Sequence, residues 1–306
     1  MQLFKSPNIN FIGNRNKAFI FSGILIALTI CFFIINKGLN LSIDFVGGTV
    51  VQLKFEKPIT NDLGRIRSAV TNLDFGQPEV KTIGSASDNE IQIIVQKQFE
   101  GTRIGDEIKT VLAKEFTDNS FELRKEEKVG AKIGKEFQRN GIIATILSLI
   151  IILVYIGIRF QLPFGVAAIV ALFHDVIITV GVFSVFDAEF SLPIIAAILT
   201  IIGYSLNDTI VVFDRIRENL GGLNVKKSFE DRINTSINQC LSRTIITSVT
   251  TLMVVVSLFA FFYTSGDVIK YFAGALLTGV LIGTYSSVFI ASPVLIMWNK
   301  KWPIKK

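Results

Sequence analysis

Six long apolar segments limit what this chain can fold into more than any other feature of its sequence. A helix needs about 20 mostly apolar residues to cross a hydrocarbon layer roughly 30 Å thick. The six segments are Ala18 to Asn36, Gly141 to Ile158, Pro163 to Phe186, Ser191 to Phe213, Thr244 to Tyr263 and Tyr271 to Leu295. The sequence therefore predicts a polytopic α-helical membrane protein with six transmembrane helices, the first at 18–36 and the other five in a bundle at 141–298.

The composition supports a membrane class. Half of the 306 residues are hydrophobic and only 18% are charged, which lies outside the usual composition of soluble domains. The net charge of +6 comes from short segments beside the apolar runs, so no nucleic acid is expected as a partner. The exit of the first run, Asn36 to Leu39, has no small-x-small cleavage site, so we interpret that run as an uncleaved helix and not as a signal peptide.

Lysine and arginine distinguish the two sides of the membrane. They lie in the N-terminus 1–17, at Arg159 between the second and third spans, in the loop 214–243 and in the tail 299–306. The short connections on the other side, at 187–190 and 264–267, contain neither residue type. Because cytoplasmic segments carry the excess of basic residues, both termini are predicted to be cytoplasmic.

The segment 37–140 is predicted to form one periplasmic domain. It carries sixteen basic and sixteen acidic side chains, the balance of an ordinary solvated domain, and it contains no cysteine for a disulfide. Its apolar spacings predict the order strand, helix, strand, strand, helix, strand, which is typical of an α+β ferredoxin-like fold. Such folds have many roles, so a scaffold and a surface that grips a polypeptide both stay open.

The predicted cytoplasmic loop contains apolar residues at every fourth position, namely Phe229, Ile233, Ile237 and Leu241. With charged residues between them, this spacing predicts a helix that lies along the membrane surface. We interpret that helix as a structural strap that joins two spans.

Two polar faces inside the apolar segments form the candidate functional site. Ionisable side chains in hydrocarbon cost at least about 2.5 kcal/mol each, so they tend to mark pathways or buried pairs. Four polar side chains share one face of the fourth span: Thr200, Tyr204, Asn207 and Asp208. Four more share one face of the fifth span: Arg243, Thr247, Thr250 and Thr251. We predict a hydrated seam between these spans, in which Arg243 can reach toward Asp208.

The ionisable residues permit more than one interpretation. Burial favours a neutral aspartic acid and a nearby arginine favours the charged form, so movement of Arg243 could gate proton uptake and release at Asp208. A static ion pair that fixes helix packing is the alternative. Asp175 in the third span is either a second proton site or a helix–helix hydrogen-bond partner. No metal site is expected at His174, because the chain has one histidine and no cysteine nearby.

Small residues occupy every fourth position of the sixth span: Ala275, Gly279, Gly283, Ser287 and Ala291. Such a stripe lets a neighbouring helix approach closely. It predicts tight packing within the chain, with packing against a separate subunit as the alternative.

Several of these residues belong to longer motifs. The longest is Gly-Tyr-Ser-Leu-Asn-Asp-Thr-Ile-Val-Val-Phe-Asp-Arg-Ile-Arg-Glu-Asn at 203–219. Shorter ones are Ile-Asp-Phe-Val-Gly-Gly-Thr at 43–49, Phe-His-Asp at 173–175 and Ser-Arg-Thr at 242–244. Over nearly the whole chain these motifs resemble the SecD/SecF family of the bacterial Sec protein-export machinery, on its SecF side. Ser42 departs from that family, in which glycine is more usual at this position.

The resemblance implies a function and a set of partners. SecF proteins are similar to half of a resistance-nodulation-division transporter, pair with SecD and associate with the SecYEG channel, alongside YajC in many bacteria. With SecD they are understood to use the proton-motive force to draw preproteins across the bacterial inner membrane after the ATPase SecA has driven them in. The resemblance also implies that Asp208 carries the proton, that Arg243 is its functional partner and that protons are needed without a further cofactor.

Two other functions stay open at this point. A structural clamp of the translocon would need no ion coupling. An intramembrane aspartyl protease would use Asp175 and Asp208 to share a proton and activate water. Neither aspartate lies in a Gly-x-Gly-Asp motif, so the chain is not expected to be an enzyme.

Overall fold

The computed structural model describes residues 7–73, 75–76, 78–84, 87–96, 104–221, 228–263 and 268–302. The predicted outer turn at 264–267 lies outside this part of the chain. Parts of three predicted cytoplasmic segments, 1–6, 222–227 and 303–306, lie outside it as well.

Helices account for most of the described chain. In order they are α1 (Arg15–Ile35), α2 (Ile43–Val46), α3 (Leu63–Thr71), α4 (Ile104–Glu115), α5 (Ala131–Arg159), α6 (Leu162–Val185), α7 (Leu192–Gly221), α8 (Phe229–Phe262), α9 (Val268–Ser286) and α10 (Ser292–Lys301). A π-helical turn at Ser287–Ala291 joins α9 to α10. In the described part of the chain, six helical segments are long and apolar enough to cross a membrane: α1, α5, α6, α7, α8 and the continuous unit from α9 to α10. The predicted six-span fold is therefore confirmed.

The exterior domain has the predicted ferredoxin-like order. Its strands are β1 (Gly48–Phe55), β2 (Glu79–Ile83), β3 (Glu90–Val95) and β4 (Phe121–Val129). They form one antiparallel sheet in the order β2-β3-β1-β4. Because side chains alternate across a strand, every second residue of β1 faces the helices α3 and α4, and Leu53 packs there with Ile66 and Ile108.

Two helix boundaries differ from the predictions. α5 begins at Ala131, inside the segment predicted as the exterior domain, so the span and the domain share a continuous helix. The predicted separate surface helix is wrong, because α8 runs unbroken from Phe229 to Phe262. Ile233 and Ile237 are completely buried in the main core beside Ile216 of α7. Their four-residue spacing therefore reflects packing within the bundle and not contact with the membrane surface.

A tight junction joins the exterior domain to the bundle. Gly47 and Gly48 have φ angles of 78° and 151°, a region that favours glycine. A Cβ atom at Gly47 would lie 2.7 Å from the Cα atom of Ala131, so this glycine also permits the contact with the start of α5. Asp44 Oδ2 accepts a hydrogen bond from the Leu192 amide (3.0 Å) at the N-terminus of α7. The junction thus fixes the domain to two membrane helices.

The residue that departs from the family pattern has a local role at this junction. The Ser42 hydroxyl accepts a hydrogen bond from the Asp44 amide (3.2 Å) and so caps α2.

Nearby, the outer turn between α6 and α7 carries Glu189, whose pKa is raised above its ordinary value by burial. Lys81 of β2 opposes this rise in pKa through its positive charge. The edge of the exterior sheet and the outer turn are therefore electrostatically coupled.

The six spans are not equally buried. About half or more of the most apolar part of α6, α7 and the α9–α10 unit is buried (56%, 50% and 61%), against 11–17% for α1, α5 and α8. The first three therefore form the centre of the bundle. The other three expose apolar faces that are available to lipid or to a partner chain.

Candidate functional site

Asp208 lies on α7 where this helix meets α8, and only 3% of it is exposed. Its Oδ1 accepts a hydrogen bond from the Thr247 hydroxyl (3.4 Å). Its Oδ2 is buried and has no hydrogen-bond partner in the described part of the chain. Burying a charge without a partner costs far more than burying a neutral polar group. Burial without a partner therefore favours the neutral form of this carboxyl group.

Arg243 forms no salt bridge or hydrogen bond with Asp208 in this structure, although its positive charge lies near enough to act on the carboxyl group. Its side chain is exposed, and among the described residues no salt bridge joins the two groups. Thr247 lies one turn further along α8, about 6 Å along the helix axis. The single Thr247 hydroxyl hydrogen is also within reach of the carbonyl oxygens of Thr244 (2.9 Å) and Arg243 (3.1 Å), so the contact with Asp208 is the longest of three that share it. The predicted reach of Arg243 toward Asp208 would therefore require movement of the arginine side chain.

The polar contact between α7 and α8 is narrower than the predicted seam. Thr200 and Asn207 are exposed, because they lie roughly 80–100° around α7 from Asp208. Tyr204 is half-buried, and its hydroxyl has no hydrogen-bond partner in the described ranges. Thr251 is half-buried. Among the residues predicted for the seam, the hydrogen bond across the two helices in the described ranges is the one between Thr247 and Asp208; further polar contacts between α7 and α8 lie nearer Asn219 and Ser236.

The exposed side of α7 forms a separate feature, which we call the open edge of α7. It consists of Ala196, Thr200, Gly203 and Asn207, all exposed. The Thr200 hydroxyl bonds back to the Ala196 carbonyl (2.8 Å), and a Cβ atom at Gly203 would meet no atom within 4 Å. Polar groups inside a membrane usually face protein or water and not lipid. The open edge therefore has the character of a contact surface for another helix.

Asp175 is at the centre of a hydrogen-bond network inside the bundle and is completely buried. Its Oδ2 accepts from the Ser205 hydroxyl of α7 (2.6 Å) and from the Ser286 hydroxyl of α9 (2.8 Å). Its Oδ1 lies 2.9 Å from Nδ1 of His174. Both carboxyl oxygens of Asp175 thus have partners, whereas Oδ2 of Asp208 has none in the described part of the chain.

The network continues from His174 to α1. Nε2 of His174 lies 3.0 Å from the Ser22 hydroxyl, which in turn lies 3.0 Å from the Tyr285 hydroxyl. Tyr285 donates to the Ala18 carbonyl oxygen (2.8 Å). The network therefore ties α1, α7 and α9 to α6.

The small residues of α9 pack against α7 within this chain. A Cβ atom at Gly279 would lie 2.7 Å from Ile201 Cγ2, and one at Gly283 would lie 2.9 Å from Ser205 Cβ. Ala275 and Ser287 on the same stripe are completely buried. The stripe thus lets α9 approach the part of α7 that precedes Asp208.

Sequence reasoning did not identify Ser22, Ser205, Ser286 or Tyr285. Serine and tyrosine are ordinary residues in membrane spans, and these four come from three helices. The adjacent His174 and Asp175 could have indicated that such partners exist, because two buried ionisable side chains require hydrogen-bond partners. No group of three His, Cys, Asp or Glu side chains suited to a metal ion lies in the described ranges.

The fold and the site define a class: a multi-pass membrane protein with a ferredoxin-like exterior domain and two differently bonded carboxyl groups in its bundle. Residues 108–301 match the family model described as protein export membrane protein SecD/SecF, C-terminal. Residues 32–59, which contain Gly47 and Gly48, match the model described as the SecD/SecF GG motif. The chain belongs to the SecD/SecF family.

Individual relatives agree with this assignment. Protein translocase subunit SecF of Calditerrivibrio nitroreducens is 44% identical and covers 95% of each chain. Protein translocase subunit SecF of Pseudomonas aeruginosa is 40% identical and covers 96% of this chain and 93% of the relative. By name these relatives are transport components.

Solved structures give the same fold. A crystal structure of SecDF from Thermus thermophilus, described as a translocon-associated membrane protein, matches 96% of this chain with a TM-score of 0.82 and 35% identity. A second SecDF structure, in a super-membrane-facing form, matches with a TM-score of 0.70 and 36% identity. This chain spans only 39% and 40% of those two chains.

Proposed function

We propose that this chain is a translocase subunit that, with SecD, uses the proton-motive force to promote preprotein translocation across the bacterial inner membrane. The observation that carries the proposal is the Asp208 carboxyl group, which is buried between α7 and α8 with one hydroxyl partner and one free oxygen. Because one oxygen has no partner, this carboxyl group can take up a proton or a new hydrogen-bond donor. A carboxyl group whose two oxygens already accept hydrogen bonds is less able to change its protonation state.

The proposed cycle uses two states of Asp208. In the first, the carboxyl group holds a proton and contacts Thr247, as the arrangement in the structure permits. In the second, the Arg243 guanidinium approaches, the proton leaves and the carboxylate pairs with the arginine. Each proton that crosses the membrane makes about 2.3 kcal/mol available per 100 mV. The exchange of partners at α8 converts that energy into helix movement.

SecD is the proposed partner at the open edge of α7. This edge presents Thr200 and Asn207, and Gly203 leaves room for a second backbone. The similar solved chains are called SecDF and are more than twice as long as the part that this chain matches, which supports a second half of comparable kind. Association with SecYEG and YajC, and cooperation with SecA on preproteins, are proposed on the family resemblance.

The proposed orientation places both termini in the cytoplasm and the ferredoxin-like domain in the periplasm. It is supported by basic residues at the inner ends of the spans, including Arg15, Arg159, Arg215 and Arg217. In this orientation α5 and the Gly47–Gly48 junction transmit movement of the bundle to the exterior domain. That domain is then placed to act on a preprotein as it emerges.

The test replaces Asp208 with Asn and measures preprotein export by membrane vesicles that contain this chain and SecD, with and without a proton gradient. We expect assembly to be kept and the gradient-dependent part of export to be lost, because an amide cannot release a proton in this way. Asp214→Asn is the matched control, since Asp214 lies on the same helix but is exposed and paired with Arg217 (2.9 Å). Full gradient-dependent export by Asp208→Asn would refute the proposal. Replacing the proton gradient with a sodium gradient identifies the coupling ion.

The same assay separates the alternatives. A structural clamp predicts that Asp208→Asn has no effect. An aspartyl protease needs two carboxyl groups that share a proton. Asp175 and Asp208 share no hydrogen bond here, and each has its own partners. Proteolysis is therefore the weaker alternative.

A further inference from the structure

The hydrogen bonds around His174 favour one position for a proton. The Ala18 carbonyl oxygen can only accept, and when Tyr285 gives it the single hydroxyl hydrogen, the Ser22 hydroxyl donates to Tyr285. Ser22 then has no hydrogen left for His174. In this arrangement Nε2, 3.0 Å from Ser22, carries the hydrogen and donates it.

A second proton lies on the other side of the ring. Nδ1 of His174 and Oδ1 of Asp175 are 2.9 Å apart, and two bare lone pairs at that distance would repel. One proton must therefore lie between them. The pair is then either an imidazolium with a carboxylate or a neutral imidazole with a carboxylic acid. Both forms contain the same number of protons and have no net charge.

The surroundings of the pair favour this neutral total. His174 is 6% exposed and Asp175 is completely buried. The groups that reach the pair from α1, α7 and α9 are hydroxyls: Ser22, Ser205, Ser286 and, through Ser22, Tyr285. Asp208, the other buried carboxyl group among the described residues of the bundle, lies one turn beyond Ser205 and contacts α8 instead. Removing or adding one proton would leave an unpaired charge, which costs several kcal/mol in such a site.

We propose that His174 and Asp175 form a permanently protonated pair that latches α1, α7 and α9 to α6. The pair holds its proton and does not exchange it during transport. Through Ser205 it fixes the register of α7 one turn before Asp208. The existence of the pair depends on hydrogen bonds alone, whereas its role beside a proton-carrying Asp208 rests on the proposed function.

The first experiment uses the fact that His174 is the only histidine of the chain. Protein made without a histidine tag, labelled with ¹⁵N-histidine and placed in lipid bilayers, gives one pair of ring-nitrogen signals. We expect the Nε2 signal to be that of a ring nitrogen that carries a hydrogen. A bare Nε2 would overturn the proposal. Ser22→Ala is the matched variant, because it should change the Nε2 signal and leave Nδ1 bonded to Asp175.

The second experiment separates a latch from a proton carrier. In Asp175→Asn the amide oxygen accepts from the two serines and the amide N–H donates to Nδ1, so every hydrogen bond has a replacement. We expect gradient-dependent export without loss, measured beside Asp208→Asn. Abolished export by a correctly folded Asp175→Asn would make Asp175 a carrier and end the proposal. If instead Asp208→Asn exports normally while Nε2 of His174 carries its hydrogen, the proposed function fails and the protonated pair stands.

Discussion

The contact between α9 and α7 leads to a prediction about stability. Gly279→Ala places a methyl group against Ile201, with a distance of 2.7 Å to Cγ2 and closer approaches to Cγ1 and Cδ1. Ile201 is 1% exposed, and a β-branched side chain in a helix has essentially one χ1 rotamer, so it cannot turn away. Overpacking of this kind costs about 1–3 kcal/mol. The better helix propensity of alanine offsets up to about 1 kcal/mol. With the full offset we expect a net loss of up to about 2 kcal/mol.

The matched control is Gly203→Ala on the open edge of α7. No atom lies within 4 Å of the added methyl group, so the helix propensity gain stands alone and stability should stay equal or rise slightly. Unfolding is followed in detergent with a dye that reacts with thiols. Cys240 is 7% exposed and reports unfolding, whereas the exposed Cys31 is first replaced by serine. Equal unfolding temperatures for Gly279→Ala and Gly203→Ala would refute the packing argument.

Three further predictions concern coupling, assembly and pH. Thr247→Val removes the hydroxyl that bonds Asp208, so gradient-dependent export should slow while gradient-independent export and stability stay near wild type. Gly203→Leu should leave the isolated chain stable but weaken its co-purification with SecD, because the side chain projects from the open edge of α7; unchanged co-purification would place the partner elsewhere. Burial raises the pKa of Glu189 in the folded state, so ionisation of this group destabilises the fold as the pH rises through that raised pKa. Glu189→Gln should therefore raise the unfolding temperature at neutral and higher pH and change it little in acid, and the opposite pattern would mean that the charge of Lys81 dominates over burial.

The architecture could be predicted from the sequence because each of its signals is local. A span needs a run of apolar residues, and a small α+β domain shows its strands and helices through spacings of two and about four. The errors also have a local cause. The apolar positions from Phe229 to Leu241 have the spacing of a surface helix, but the same spacing occurs where a helix packs into a bundle. Periodicity alone cannot distinguish these cases.

The site was predictable only in part. Asp208 and Asp175 stand out because carboxyl groups are rare in hydrocarbon. A stripe on one helix, however, does not say which neighbour faces it. Thr200 and Asn207 were predicted to face α8 and instead lie on the open edge of α7. The role of Arg243 stays a prediction, since the side chain is exposed and forms no salt bridge with Asp208 among the described residues.

By itself, the sequence determined the six spans, the order of the exterior domain and the buried positions of the two aspartates. It could do so because hydrophobicity and helix period belong to contiguous residues. Only the tertiary structure decided which partners each carboxyl group has: one hydroxyl for Asp208, two serines and a histidine for Asp175. These contacts join residues up to 111 positions apart, and the approach of α7 to α6 and α8 and of α9 to α6 that creates most of them depends on how whole helices pack.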